Sequence, residues 1–235
     1  MTTEAIILAG GYGTRLREVV SDIPKPMAMV NGRPFLEYQL GYLEGWGIDH
    51  IVISVGYKKE YIMDHFGDSF KSVRIDYAME EEALGTGGGI MNAMNHIENN
   101  PFFVFNGDTF FDVNLRRLHQ FKRIKEADIC IVMKKVPDVS RYGSLEINED
   151  KRILEFAEKG SKQGEGWING GVYFLNKRFM QKFDLPEKFS IEKDFFEKQY
   201  AEQRIFGFDC HAYFIDIGIP EDYQRAQDEF KKLPY

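Results

Sequence analysis

Apolar runs and amphipathic segments alternate along the first 140 residues of the chain. Runs rich in Ile, Val and Phe are typical of strands, and apolar residues that recur every three or four positions are typical of helices. Candidate strands lie at residues 5–9, 50–55, 73–79, 102–105 and 128–136. Candidate helices lie at residues 34–46, 59–66, 88–97 and 115–125. This alternation predicts an α/β domain with helices on both faces of a central sheet.

The pattern changes after about residue 142, where shorter connections join the apolar runs. Candidate strands follow at residues 143–147, 153–157, 171–175, 205–207 and 212–215, before a final helix at 220–232. Short connections favour antiparallel pairing. We therefore expect a single α/β/α domain over residues 1–235, with a mixed central sheet and a small antiparallel portion.

Composition and charge narrow the class of protein. Hydrophobic residues make up 43% and charged residues 29% of the 235, as in globular proteins. No apolar stretch approaches the roughly 20 residues that span a bilayer, and no basic segment precedes a long apolar run at the N-terminus. The two cysteines, Cys130 and Cys210, cannot form a disulfide framework or a cysteine metal cluster. These features predict a cytoplasmic protein with no membrane partner.

The formal net charge is −7, and no long basic run occurs. Nucleic-acid binding generally relies on a broad positive surface, so the sequence predicts no nucleic-acid partner. If the ligand carries phosphates, a few cations, backbone N–H groups and a metal ion must meet that charge locally.

Three glycines, Gly10, Gly11 and Gly13, follow the first candidate strand, with Thr14 and Arg15 next. Ligands of open α/β sheets bind beyond the carboxyl ends of the strands, where consecutive N–H groups can hold an anion. The spacing excludes a P-loop, which ends in Gly-Lys-Ser/Thr, and a dinucleotide-binding fingerprint. A tight turn with a solvated Arg15 is the competing interpretation of these glycines alone.

Lys25 lies between Pro24 and Pro26, and two prolines restrict the backbone on both sides of its charge. A lysine held in this way suits a phosphoryl group. Asp108 and Asp216 each end an apolar run, and two carboxylates with substrate phosphates are a typical ligand set for Mg²⁺. Taken alone, an aspartate after a strand is also often a helix cap or a turn residue.

Together, "LAGGYGTRL" and "IPKPM" resemble the signature of sugar-1-phosphate nucleotidylyltransferases. The resemblance extends from Ala5 to about Ala226 and implies the Rossmann-like fold of nucleotide-diphospho-sugar transferases. Within this family, "IPKPMAMVNGRPFLEYQL" is most similar to guanylyltransferases that act on D-glycero-α-D-manno-heptose 1-phosphate, with mannose-1-phosphate guanylyltransferases as near relatives. The implied reaction joins GTP and a sugar 1-phosphate into a GDP-sugar and pyrophosphate, with Mg²⁺ as cofactor.

The resemblance assigns roles to individual positions. It implies a nucleotide-binding half over about 1–140 and a sugar-phosphate-binding half over about 141–235. Catalytic roles fall on Arg15, Lys25 and Asp108, and metal binding on Asp108 and Asp216. Nucleotide binding falls on Leu8, Ala9, Gly10, Gly11, Gly13, Thr14, Glu80, Gly85, Thr86 and Gly107. Sugar-phosphate binding falls on Tyr142, Gly143, Glu158, Lys159 and Asn169.

Glu80 bears on the choice of base. A carboxylate can accept both the N1–H and the 2-amino group of guanine, whereas an amide suits the edge of uracil or thymine better. Glu80 therefore favours GTP, although a solvated acidic loop of Glu80, Glu81 and Glu82 is the simpler interpretation of each glutamate alone. The chain departs from the family pattern at Ala83 and Gly160, where proline is usual, and at Ile219, where threonine is usual.

Three alternatives stay open at this point. The same reaction could use another base or sugar, such as UTP with a hexosamine 1-phosphate. A non-catalytic regulatory subunit could keep the fold and sense nucleotide-sugars, but it would be expected to lack Arg15, Lys25 or a metal aspartate. A nicotinamide-dependent oxidoreductase would need the missing dinucleotide spacing. The resemblance also suggests a homodimer and a product used in capsule or lipopolysaccharide biosynthesis.

Overall fold

A computed structural model describes residues 3–11, 23–157 and 159–235. The strands in these ranges are β1 (Glu4–Leu8), β2 (Met29–Val30), β3 (Arg33–Pro34), β4 (His50–Val55), β5 (Ser69–Phe70), β6 (Val73–Met79), β7 (Phe102–Asn106), β8 (Thr109–Phe111), β9 (Ile129–Val136), β10 (Ser144–Ile147), β11 (Ile153–Ala157), β12 (Gly166–Leu175), β13 (Ile205–Asp209) and β14 (Phe214–Asp216). The α-helices are α1 (Phe35–Gly45), α2 (Lys59–Phe66), α3 (Gly85–Ala93), α4 (Leu115–Lys125), α5 (Lys177–Met180), α6 (Glu197–Gln199) and α7 (Pro220–Glu229). A π-helical segment spans Ile191–Phe196, and 3₁₀ turns span Lys25–Met27, Met94–His96 and Phe230–Lys232.

Ten of the strands in the described ranges form one mixed sheet, ordered β11-β10-β12-β7-β1-β4-β6-β5, with β9 beside β12 and β13 beside β9. Its centre is parallel, since β1 pairs in parallel with both β7 and β4, and β4 with β6. The long strand β12 runs antiparallel to β7, β9 and β10. The mixed central sheet predicted from the sequence is therefore confirmed.

Alternation of side chains along the strands builds two cores, one on each face of the sheet. Ala5 and Ile7 of β1 belong to the core that α1 and α4 cover. Ile6 points to the opposite face, where α3 and the π-helical segment supply Ile90 and Phe195. The result is the expected three-layer arrangement.

The second half of the chain departs from its predicted elements at two places. The strand expected at 171–175 begins at Gly166, because a register shift between Asn169 and Tyr173 lets it bend and continue. Gly171 has a φ of +68° there, and a Cβ on Gly170 would lie 2.6 Å from the Phe111 ring. The helical segments between residues 177 and 199 were not predicted, because their apolar positions follow no regular helical spacing.

The carboxyl ends of β1, β6 and β7 meet at one edge of the sheet, as parallel pairing requires. The short ribbon of β8 and β14 lies beyond β7 and carries its own loop to the same edge. Among the described residues, the helices are all too short or too polar to cross a bilayer.

Candidate active site

A cavity of about 390 Å³ opens at the carboxyl edge of the sheet. Several of the residues that line it were singled out from the sequence, namely Leu8, Ala9, Gly10, Gly11, Lys25, Glu80, Gly85, Thr86, Asp108, Lys159 and Asp216. The other lining residues are Pro26, Ala83, Asn106 and Gly218. The cavity therefore brings together residues that are up to 210 positions apart in the sequence, from Leu8 to Gly218.

Asp108 directly precedes β8, and Asp216 is the last residue of β14. The two aspartates lie close together because these two strands pair. Thr109 lies opposite Asp216 in this antiparallel ribbon, and the Ile217 N–H donates to the Asp108 carbonyl at 3.0 Å. The Gly218 N–H donates to Asp216 Oδ1 at 2.7 Å and fixes that carboxylate. Backbone pairing thus holds two acidic side chains at one corner of the cavity.

The Lys25 ammonium lies between these two carboxylates. Its Nζ is 2.5 Å from Asp108 Oδ2 and 3.6 Å from Asp216 Oδ1, and its side chain is 12% exposed. The backbone around it is rigid, because Pro24 accepts the Met27 N–H at 2.8 Å and Pro26 is buried in the 3₁₀ turn. A Cβ on Gly218 would lie 2.9 Å from Nζ, so a glycine there leaves room for the ammonium.

The charge of the Lys25 ammonium and the burial of the site shift the pKa values of the two aspartates. Desolvation acts to raise the pKa of Asp108, but the charge and hydrogen bond of Lys25 outweigh it and hold that pKa below its usual value. Burial, followed by the negative charge of Asp108, raises the pKa of Asp216 against smaller opposing effects of Lys25 and the Gly218 N–H. The two carboxylates therefore repel each other, and the Lys25 ammonium offsets that repulsion by contacting both.

This arrangement fits a divalent cation bound together with substrate. A single cation, the Lys25 ammonium, already contacts both carboxylates. No group of three or more His, Cys, Asp or Glu side chains that could hold a metal occurs among the described residues. Two carboxylates without further protein ligands are the donor set of a Mg²⁺ ion that also binds phosphates and water.

Glu80 also lines the cavity and lies directly after β6. Ser54 Oγ donates to its Oε1 at 2.7 Å, and the Leu84 N–H donates to its Oε2 at 3.0 Å. A Cβ on Gly10 would lie 2.5 Å from Oε1, so the first glycine loop passes directly over this carboxylate. By contrast, Glu81 and Glu82 are exposed, and Glu81 pairs with Lys59 at 3.2 Å. Glu80 is thus fixed in place with acceptor capacity toward the cavity.

The second glycine cluster begins α3 and packs against the segment that precedes the π-helix. A Cβ on Gly87 would lie 2.2 Å from the Phe189 ring, and one on Gly88 would lie 2.2 Å from the Glu187 carbonyl oxygen. The Gly87 N–H donates to the Phe189 carbonyl at 2.9 Å. Close packing within the protein therefore requires these glycines, while Gly85 and Thr86 also line the cavity.

Of the predicted sugar-side residues, Lys159 lines the cavity, and its charge acts on Asp216. Tyr142, Gly143 and Asn169 are not among the lining residues, and the Asn169 N–H donates to the Gly143 carbonyl at 2.9 Å. Gly107 is also outside the lining, and its N–H donates to the Leu8 carbonyl at 2.9 Å. Gly13, Thr14, Arg15 and Glu158 lie outside the described residues.

Three residues of the site were not identified from the sequence. Asn106 lines the cavity, and its Oδ1 is buried with no hydrogen-bond partner in the described part of the chain. The sequence did indicate Asn106 in one respect, since it is a polar residue at the end of an apolar strand. Gly218 lies two positions after Asp216, in a motif of which only the aspartate was singled out from the sequence. Glu192, described below, lies in a segment with no recognisable pattern.

Comparisons with known proteins show the family of the chain. The chain matches the Nucleotidyl transferase family over residues 4–232. It is 46% identical over 228 residues to D-glycero-alpha-D-manno-heptose 1-phosphate guanylyltransferase from Aneurinibacillus thermoaerophilus, covering 97% of this chain and 98% of that protein. It is 43% identical over 220 residues to the enzyme of the same name from Campylobacter jejuni, covering 94% and 96%.

The fold has a solved counterpart of similar sequence. The crystal structure of HddC from Yersinia pseudotuberculosis complexed with GMP-PN superimposes with a TM-score of 0.87 at 42% identity. The match covers 97% of this chain and all of that one. The predicted nucleotide-diphospho-sugar transferase fold is confirmed.

Proposed function

The chain belongs to the nucleotidyl transferase family, and from that premise we propose that it transfers the guanylyl group of GTP to D-glycero-α-D-manno-heptose 1-phosphate. The products are GDP-heptose and pyrophosphate. One observation carries the proposal: the Lys25 ammonium, held by Asp108 and Asp216, faces a cavity that a glycine loop and Glu80 also line.

The chemistry is one displacement at the α-phosphorus of GTP. A phosphate oxygen of the sugar 1-phosphate forms the new P–O bond, and the bond to the oxygen bridging to the β-phosphate breaks. Pyrophosphate leaves with the bonding electrons. No covalent enzyme intermediate is needed, so positioning and charge stabilisation suffice.

The phosphates of GTP lie along the turn after β1. Gly10 and Gly11 leave the backbone accessible there, and Lys25 neutralises charge that develops at the α-phosphate. In our proposal Gly13, Thr14 and Arg15 hold the β- and γ-phosphates. Asp108 and Asp216 would hold Mg²⁺, which would supply further neutralisation of phosphate charge when bound.

The base and the sugar phosphate lie on opposite sides of this centre. Glu80 accepts from N1–H and the 2-amino group of guanine, near the cavity-lining residues Leu8, Ala9, Gly85 and Thr86. Gly107 supports this side from outside the lining, through the bond of its N–H to the Leu8 carbonyl. Lys159 binds the incoming phosphate, while Tyr142, Gly143, Glu158 and Asn169 bind the sugar. Residues up to about 140 thus form a nucleotide half, and later residues form a sugar-phosphate half. We further propose a cytoplasmic homodimer whose product serves capsule or lipopolysaccharide biosynthesis.

The test is pyrophosphate release with Mg²⁺, crossing GTP, UTP, CTP, ATP and dTTP against the heptose 1-phosphate, mannose 1-phosphate and glucose 1-phosphate. Turnover confined to GTP with the heptose supports the full proposal. Turnover with GTP and mannose 1-phosphate would correct the sugar, and turnover with UTP or dTTP would correct the base. No turnover in any combination would overturn the enzymatic function.

A matched pair of variants tests the role of Glu80. Glu80→Gln should lower kcat/KM for GTP at least about tenfold, because one of the two acceptor oxygens becomes an NH2 group that opposes a donor of guanine. Glu82→Gln, two positions along on the exposed loop, should leave that value unchanged. Equal effects of the two substitutions would remove Glu80 from base recognition.

A further inference from the structure

Glu192 lies behind the cavity, in the π-helical segment that packs on α3. Its Oε2 accepts from Thr86 Oγ1 at 2.6 Å and from Ser190 Oγ at 2.8 Å. Its Oε1 accepts from the Tyr173 hydroxyl at 2.9 Å, and Asn169 Nδ2 donates to that hydroxyl at 2.8 Å. The Glu192 carboxylate thus links Thr86, on the predicted nucleotide side, through Tyr173 to Asn169, on the predicted sugar side.

The carboxylate fixes the direction of every hydrogen bond toward the sugar side. A carboxylate accepts and cannot donate, so the Tyr173 hydroxyl must give its proton to Glu192. The hydroxyl oxygen must then accept from Asn169, which places Nδ2 of that amide toward Tyr173. The Gly171 N–H, 3.0 Å from Asn169 Oδ1, agrees with this orientation. Tyr173 is a neutral phenol throughout, since burial and then Glu192 raise its pKa.

The same carboxylate fixes the hydroxyl on the nucleotide side. Thr86 gives its proton to Glu192 and accepts the Ile191 N–H at 3.0 Å. Thr86 lines the cavity, whereas Glu192 does not. The remaining capacity of the Thr86 oxygen toward the cavity is therefore that of an acceptor.

We propose that Glu192 is a positioning residue that sets the donor and acceptor pattern of Thr86 and Asn169 at once. This inference rests on the proposed function, because it takes GTP to lie beside Thr86 and the sugar 1-phosphate beside Asn169. Glu192 acts through both residues and touches neither substrate. The nucleotide side and the sugar side of the active site thereby depend on the same partly buried acceptor. The direction of the hydrogen bonds on one side therefore cannot change independently of the other.

Glu192→Gln keeps the size and shape of the side chain but replaces one acceptor with a donor. Two hydroxyls face Oε2 and one faces Oε1, so the amide oxygen should take the Oε2 position and the amide nitrogen the Oε1 position. The nitrogen then opposes Tyr173, whose hydroxyl can no longer donate there. The Tyr173 proton would regain an acceptor only if Asn169 reversed its amide, which the Gly171 N–H disfavours.

The expected result is therefore directional. In Glu192→Gln, KM for the sugar 1-phosphate should rise about tenfold, while KM for GTP should change less than about threefold. Tyr173→Phe removes the same link without disturbing Thr86 and should give the same pattern. Thr86→Val should instead raise KM for GTP, and Thr86→Ser, which keeps the hydroxyl, should restore it.

Melting temperature and a control variant separate positioning from a structural role. Glu202→Gln, at an exposed glutamate of the same half, should match the parent chain in every measurement. If Glu192 only held the fold together, Glu192→Gln would lower the melting temperature and raise both KM values together. That result, or parent values of KM in both Glu192→Gln and Tyr173→Phe, would overturn the inference. Absence of turnover by the parent chain would instead overturn the proposed function, and this inference with it.

Discussion

Two clusters of ionisable side chains lie at opposite ends of the parallel strands, and their surroundings differ sharply. At the amino end, His50 stands between Glu4 and Asp76, with Nδ1 2.6 Å from Glu4 Oε1 and Nε2 2.9 Å from Asp76 Oδ2. At the carboxyl end, Lys25 stands between Asp108 and Asp216. Each cluster has one basic group between two carboxylates.

At the amino end, the protein itself encloses Glu4 and His50, and Asp76 at the edge of the cluster is 39% exposed. The Glu98 and Asn99 N–H groups also donate to Glu4, and the Glu4 and His50 side chains are only 3% and 5% exposed. At the carboxyl end, Asp108 is 36% and Asp216 27% exposed, and both face the cavity. The enclosed Glu4 carboxylate can only stabilise the fold, whereas two carboxylates that face one cavity with accessible lone pairs can bind a ligand.

The largest effect is expected when a substitution disrupts the carboxyl-end cluster. Asp108→Asn should lower kcat at least about a hundredfold, because it removes a charge that the reaction requires. Its free energy of unfolding should change by less than about 1 kcal/mol, since the carboxylate is partly exposed to solvent. Pyrophosphate release and urea unfolding measure the two quantities. Near-normal turnover would remove Asp108 from the mechanism.

The next largest effect is expected when a substitution disrupts the amino-end cluster. Here stability should fall while kcat stays unchanged. Glu4→Gln should lower the free energy of unfolding by about 2–3 kcal/mol, because it opposes an amide N–H to buried donors. The kcat should stay at the parent value. The control is Glu98→Gln, at a side chain 79% exposed and paired with Arg74 at 3.7 Å, which should cost less than about 1 kcal/mol. If kcat fell with Glu4→Gln, the two ends would not be independent.

Local patterns along the sequence are enough to predict most of the fold. The strand at residues 50–55 and the helices at 59–66 and 115–125 have the predicted bounds, because apolar spacing determines them locally, together with Gly56 and Gly67 for the first two and the Asn114 cap for the third. The strand at 171–175 was predicted too short, because its continuation back to Gly166 depends on pairing with β9. Pairing across long sequence separations leaves no local signal.

The same distinction explains the candidate site. Lys25, Asp108 and Asp216 could be singled out because each follows a strand or lies between prolines. Local patterns could not predict their contact, because it depends on the ribbon of β8 and β14, and only the family resemblance brought the two aspartates together at one metal. Glu192 could not be found at all, since its partners come from α3 and β12, and nothing in its own segment indicates them.

A smaller effect should sharpen the comparison at the carboxyl end. In Gly218→Ala the added Cβ would lie 2.7 Å from Asp216 Oδ1 and 2.9 Å from Lys25 Nζ, so one of them must move by a few tenths of an ångström. We expect kcat to fall about tenfold through this misplacement, with little change in stability. Gly45→Ala, in a helix with open space around it, should leave kcat unchanged. Parent-level kcat in Gly218→Ala would show that the cluster tolerates displacement.

The smallest effect concerns the part of the Glu4 contribution that depends on its charge. Desolvation acts to raise the pKa of Glu4, but hydrogen bonds from His50 and from the Asn99 and Glu98 N–H groups outweigh it, and the pKa lies below its ordinary value. A carboxyl whose pKa is lowered by folding stabilises the folded state fully above its unfolded pKa of about 4.3. That stabilisation is lost as the pH falls through the lower, folded pKa.

The difference in free energy of unfolding between the parent chain and Glu4→Gln should therefore shrink as the pH falls below about 4.3. Taking the difference cancels the titration of carboxylates that both proteins share, and urea unfolding at each pH measures it. A difference that stayed constant down to pH 3 would mean that Glu4 stabilises the fold by packing and neutral hydrogen bonds. The amino-end cluster would then differ from the carboxyl-end cluster in the kind of interaction it makes, and not only in its access to solvent.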